Sequence, residues 1–311
     1  MQSSLLLELV LPISLFIIMF GMGLSLSIPD FTRVARYPKA VCAGLTAQIL
    51  LLPIIGLGVA EIFSLEPLLA TGLMILAFCP SGATSNMYSY IFKGDVALSL
   101  TMTALISIIK PFTLPFLTYY AMLHFLGEGQ IINLPIGKTI LQLFVITVLP
   151  VLIGMAVRKY AHRWATKFEK YVKVFSVIIL FAIIGGLIRQ NWVHMVGFFA
   201  QAGAASITLN VVSITAGFLL ALLIRLDRKQ SITIAFELGI QNGTTALLVT
   251  GTILKEPAMT VVPVTYSLLM FITALVFGLS MRYLFRDQKV QTDSHSSDTP
   301  DAMVASLRNR P

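Results

Sequence analysis

The chain has 311 residues, of which 57% are hydrophobic and 12% charged, with a mean hydropathy of +0.87 and a formal net charge of +8. Soluble domains carry roughly 25% charged residues, so about half the usual solvating charge is missing. This excludes a cytosolic globular enzyme, a disordered chain and a disulfide-stapled secreted module, and the two cysteines, Cys42 and Cys79, both sit inside apolar stretches.

A membrane-crossing helix needs about 20 apolar residues, and nine stretches qualify: 6–27, 40–63, 68–92, 95–123, 137–157, 171–189, 203–224, 230–252 and 257–284. The first run follows Met1-Gln2-Ser3-Ser4, which has no basic residue, and reaches Ser27 without a small-residue cleavage site, so it reads as a retained span. After Phe285 the composition turns polar, and 286–311 is expected to be a flexible cytoplasmic tail. The fold expected is an all-α polytopic membrane protein with a transmembrane domain over 1–285.

Basic residues alternate between loops. One set of loops and the tail hold eighteen of the 22, among them Arg33, Arg36, Lys93, Arg158, Lys167, Arg225 and Arg282. The other set holds only Lys138, Arg189 and Lys255. Such a distribution is topogenic charge and not a nucleic-acid-binding face. The positive-inside rule then places the amino terminus outside and the carboxyl terminus in the cytoplasm.

Two spans are interrupted. The third contains Cys79-Pro80-Ser81-Gly82-Ala83-Thr84-Ser85-Asn86, and the eighth contains Glu237-Leu238-Gly239-Ile240-Gln241-Asn242-Gly243-Thr244-Thr245. Helix-breaking residues at membrane depth free backbone groups that only protein or a water-lined cavity can satisfy. Paired interruptions in two halves point to a transporter binding site. With one leading helix missing from the first half, the two breaks align and run in opposite directions, as an inverted repeat with two crossing broken helices requires.

Glu237 is the only acid deep inside a span. A carboxylate at the bilayer centre costs roughly 2.5–3.5 kcal/mol on insertion scales, so a cation or proton partner is expected. Hard oxygen donors surround it in sequence: Gln241, Asn242, Thr244 and Thr245, with backbone carbonyls freed where the helix breaks. Ser85 and Asn86 repeat that chemistry in the other break, and Ser99 and Thr103 share one face of the fourth span. Oxygen donors without thiolate or imidazole suit sodium or another hard cation.

The segments FGMGLSLSIPDF, TAQILLLP, CPSGATSN, KGDVALSLTMT and FELGIQNG resemble the bile acid:sodium symporter family, bacterial branch, in its nine-helix form, over residues 6–284. The resemblance implies two sodium sites. One takes Ser85, Asn86, Ser99, Thr103 and Glu237; the other takes Glu237, Gln241, the carbonyls of Leu238 and Ile240, and Gln48. It further implies a core of spans 2, 3, 4, 7, 8 and 9 and a panel of spans 1, 5 and 6. A small organic anion would lie between them near Thr84, Asn86 and Asn242.

Lys110 belongs to none of those motifs. It follows Thr103 by seven residues, about two helical turns or ~10 Å, and has two readings: a snorkelling stem beside Pro111, or a fixed counter-charge for the substrate. Met22 and Met87 are expected to pack, and Gly21 and Gly23 to allow close helix contact. The function expected is sodium-coupled symport of an organic anion by alternating access in a bacterial inner membrane. The alternatives are arsenite efflux through Cys79 and, further off, an intramembrane enzyme or a receptor.

Overall fold

A computed structural model describes residues 9–284 except 33, 35–36, 129–131, 133 and 191, with side chains between 170 and 201 described in part. The expected tail, 286–311, lies outside the described residues. In chain order come α1 (Leu11–Ser25), α2 (Ile28–Thr32) and α3 (Pro38–Thr46), the last running through a π-helical turn at Ala47–Leu51 into α4 (Leu52–Ile62). Then follow α5 (Pro67–Phe78), α6 (Thr84–Ile91) and α7 (Val96–Leu126). Next are α8 (Ile136–Leu143), a second π-helical turn at Phe144–Val148, α9 (Leu149–Tyr160), α10 (His162–Gln190) and α11 (Trp192–Leu223). The series ends with α12 (Arg228–Gly239), α13 (Gly243–Leu247), a third π-helical turn at Leu248–Ile253 and α14 (Pro257–Leu284).

Among the described residues, five helical stretches are long and apolar enough to cross a membrane by length and composition: Pro38–Ile62, Val96–Leu126, Ile136–Tyr160, Ala202–Leu223 and Pro257–Leu284. Leu11–Ser25, Pro67–Phe78 and Gly243–Ile253 are shorter apolar helices. The chain is therefore a multi-pass membrane protein. Helix α11 starts at Trp192, eleven residues before the expected span, because WVHMVGFFAQA holds no proline or breaker pair to stop it.

Local chemistry sets the helix ends. Proline occupies the first turn of α3 and α5, where its missing N–H costs no helical bond. Asp95 accepts from the Leu98 N–H at 3.0 Å and Asp227 from the Gln230 N–H at 2.8 Å, capping α7 and α12. Tight reversals follow α4, α6 and α11, where Ser64, Lys93 and Arg225 take left-handed φ of 45°, 58° and 57°. In each, the next N–H closes back five residues, as in Leu65 N–H to Ala60 O at 3.1 Å. Loops this short hold consecutive helices antiparallel.

Packing sorts the helices. Helix α1 packs chiefly on α9 and α10, whereas α11 packs on α12 and α14, and α5 on α7 and α14. The α1–α9 contact is close enough to demand glycine: a Cβ at Gly23 would lie 2.3 Å from the Val151 carbonyl oxygen, and one at Gly154 would lie 2.4 Å from that of Phe20.

The two interruptions meet in the middle. Helix α5 stops at Phe78 with Cys79 extended, and α12 stops at Gly239 with Ile240 extended. Residues 79–83 and 240–242 lie antiparallel. The Gly82 N–H donates to Ile240 O at 2.8 Å, and the Asn242 N–H to Pro80 O at 2.9 Å, flanking a bridge between Ser81 and Gln241. Each break thus satisfies backbone groups freed by the other, which hydrocarbon could not do.

Candidate functional site

The break of the eighth segment puts Glu237 in the last turn of α12, with no solvent exposure. Its Oε1 accepts from Ser85 Oγ at 2.6 Å, Ser99 Oγ at 2.6 Å and Thr103 Oγ1 at 3.1 Å. Its Oε2 accepts from Ser81 Oγ at 2.6 Å and Thr103 Oγ1 at 3.1 Å. Asn86 Oδ1 lies 3.4 Å from Thr103 Oγ1. The fourteen-residue spacing of Ser85 and Ser99 is bridged by the tight turn after α6, which folds α6 back along α7.

Four hydroxyls converge on one carboxylate. Each hydroxyl carries one proton and two acceptor lone pairs, and rotating about its C–O bond exchanges one for the other. The pocket can therefore solvate a bare carboxylate with protons or offer lone pairs to a cation seated on it.

Behind it lies a second oxygen cluster. Gln48, in the first π-helical turn, donates from Nε2 to the Glu237 carbonyl. Gln241 donates from Nε2 to Leu238 O at 2.7 Å and to Glu237 O at 3.4 Å. Gln48 Oε1 and Gln241 Oε1 are both buried with no hydrogen-bond partner among the described residues. Buried acceptors are rarely left so, and two in one cluster fit a hard cation. The Ile240 carbonyl already accepts from Gly82 N–H, and its second lone pair stays available.

Three residues that sequence reading passed over hold this geometry. Ser81 reaches Glu237, as its place within the SGATSN patch could have suggested. Asn210 on α11 and Tyr266 on α14 donate to the Gly239 carbonyl at 2.6 and 2.7 Å, tying back the last turn of α12. Neither lies in a patch that marks it.

Lys110 is 1% exposed, and its Nζ donates to Gln48 O at 3.0 Å and Ala77 O at 3.2 Å. It neither snorkels to an interface nor lines the large cavity. It clasps the first π-helical turn to the end of α5, behind the second oxygen cluster. Cys79 is fully buried and also lies off the cavity wall.

That cavity encloses about 800 Å³ and opens beside the breaks. Gly82, Thr84, Asn86, Gln241, Asn242 and Thr244 form its polar end, so Thr84, Asn86 and Asn242 do border it. Met22 and Met87, expected only to pack, line its wall, together with Ile18, Tyr90, Val174, Ile178 and Met270. Arg158, counted in the sequence as a topogenic loop charge, lines it too, beside Ser25 and Glu169.

The profile of the Sodium Bile acid symporter family matches residues 12–198. An uncharacterized sodium-dependent transporter of Bacillus subtilis, YocS, is 30% identical over 230 residues, covering 74% of this chain and 70% of that protein. The human ileal sodium/bile acid cotransporter is 30% identical over 248 residues, covering 77% and 68%. A probable chloroplastic sodium/metabolite cotransporter of Arabidopsis thaliana is 29% identical over 255 residues, covering 82% and 62%. Together with paired helix breaks around one buried carboxylate, these matches show that the chain belongs to the sodium/bile acid symporter family, whose members are transporters and not enzymes.

Proposed function

We propose that the chain couples sodium entry to uptake of a small or amphipathic organic anion by alternating access. One observation carries the reading: Glu237 is fully buried among four hydroxyls, with two unpartnered amide oxygens adjoining it. Two sodium ions against this single carboxylate would leave the site near +1 and favour a monovalent anion.

Ser85, Asn86, Ser99, Thr103 and Glu237 would hold one ion. Glu237, Gln48, Gln241 and the Leu238 and Ile240 carbonyls would hold the other. Bound sodium would supply positive charge where the two breaks meet. Asn86 and Gln241 belong to the ion pockets and also border the cavity, so ordering them for the ion shapes the wall that meets the substrate. Thr84 and Asn242 would meet it at the amino ends of the resumed helices, where N–H groups favour an anion.

The nine helical segments would all span the membrane, with the amino terminus outside and the carboxyl terminus in the cytoplasm of a bacterial cell. The packing of α1 on α9 and α10 supports a panel of spans 1, 5 and 6, moving against a core of the other six. Purified protein in proteoliposomes is the test. An inward sodium gradient should drive accumulation of an organic anion such as cholate, and a potassium gradient should not. Equal uptake under both gradients would refute the coupling.

A further inference from the structure

The large cavity has a second charged end that the ion pockets do not explain. Arg158, near the end of α9, donates from Nη1 to Leu24 O at 2.6 Å, an end carbonyl of α1. The same Nη1 reaches Glu169 Oε2 of α10 at 3.5 Å, while Glu169 Oε1 accepts from Ser25 Oγ at 2.8 Å. Arg158, Glu169 and Ser25 all border the cavity, and the two charged side chains are 26% and 21% exposed.

The use of Nη1 is informative. Its two protons go to Leu24 and Glu169, which fixes the plane of the guanidinium. The edge formed by Nε and Nη2, with three N–H groups, has no partner among the described residues. A planar fork of this kind matches a carboxylate or sulfonate in two parallel bonds of about 2.7–2.9 Å. The contact to Glu169 is longer and single, so Glu169 holds the arginine in place without saturating it. The rest of the cavity wall is largely apolar, with Met22, Met87, Val174 and Ile178 among its lining residues.

We propose that Arg158 is the specificity-determining residue for the anionic group of the substrate, and that Glu169 orients Arg158 while competing with that group. This rests on the organic-anion reading above and deepens it. The cargo is an ionised acid with an apolar body, its charged end at Arg158 and its body along the methionine wall. Lys110 is not among the residues lining the cavity, and its ammonium is engaged by the Gln48 and Ala77 carbonyls. Arginine suits the role because it stays charged at any physiological pH.

The two charged residues give predictions of opposite sign, which a purely structural ion pair would not. The probes are cholate and its uncharged methyl ester, with binding read as the shift in melting temperature of the purified full-length chain in sodium. Arg158→Gln should weaken cholate by about ten- to hundredfold, as loss of a charged fork does, and should leave methyl cholate unchanged. Arg158→Lys should recover only part of the loss. Glu169→Gln should tighten cholate, because the competing carboxylate is gone while the amide oxygen still accepts from Arg158.

If both variants weaken cholate and its ester alike, the pair only fastens α9 to α10 and the assignment is overturned. Indifference of the cholate affinity to Arg158→Gln overturns it as well. Failure of wild-type protein to bind cholate while sodium alone still stabilises it overturns the cargo class and leaves the sodium pockets standing. Absence of any sodium response instead refutes the coupling reading beneath it.

Discussion

Replacing Glu237 by glutamine removes one charge and little else. The amide oxygen can still accept from Ser85 and Ser99, and the new NH2 faces Ser81 and Thr103, whose hydroxyls can turn to accept. The hydrogen-bond count is therefore nearly kept, and the change isolates Coulomb attraction. At an effective dielectric of about 20, unit charges 4 Å apart attract by about 4 kcal/mol. That corresponds to about three decades in sodium affinity at 1.4 kcal/mol per decade. Stability without sodium should move the other way, since a carboxylate at the bilayer centre costs roughly 2.5–3.5 kcal/mol. The assay is the melting temperature of purified protein against sodium concentration, with choline holding the ionic strength fixed. We expect Glu237→Gln to melt at or above wild type in choline and to lose the sodium-dependent rise. A sodium midpoint within about half a decade of wild type would leave under 1 kcal/mol for the carboxylate and refute the reasoning.

Thr103→Val keeps the shape but deletes the one hydroxyl within reach of both carboxylate oxygens, and should weaken sodium by the 1.5–3 kcal/mol typical of a bond to a charged group. An unchanged sodium titration would exclude Thr103 from the pocket. Lys110→Met should leave cholate affinity within about a factor of two, as expected for a site without contact to the ligand; a tenfold loss would return the lysine to the substrate cavity. Tyr266→Phe leaves the Gly239 carbonyl with Asn210 alone and should cost about 1 kcal/mol of thermal stability, the usual net worth of one such bond. The double change with Asn210→Ala should exceed the sum of the two, because a buried carbonyl would then stand without a donor, and strict additivity in a melting series would contradict this. Gly23→Ala drives a methyl to within 2.3 Å of the Val151 carbonyl oxygen, and should separate α1 from α9 at a cost of about 1–3 kcal/mol. Thermal melting checks it.

Much of this molecule is legible in its linear order. Hydrocarbon tolerates few charges and no unsatisfied backbone, so nine apolar runs, one deep acid and two polar interruptions announce a polytopic protein with a site at the breaks. Helix ends are equally local, since Asp95 and Asp227 cap from their own chain and proline opens the first turns. Thr84, Asn86 and Asn242 could be placed beside a cavity for the same reason: they sit inside the interruptions.

What tertiary structure alone decided are the relations between distant elements. Ser81 reaches Glu237 across 156 positions, and Asn210 and Tyr266 converge on one carbonyl from two other helices. Lys110 and Arg158 carry the same charge in the sequence, one inside a span and one in a loop, and only the folded chain shows which backbone carbonyls each of them reaches. The lysine stem bends back to two carbonyls freed near a π-helical turn and a helix end, where a buried ammonium finds acceptors. The arginine is turned inward because α1 ends beside α9, placing Leu24 O within reach of its guanidinium. Composition and period record how each residue meets lipid or water, which is a property of one segment. Which buried groups face one another depends on how helices cross, and no single segment carries that information.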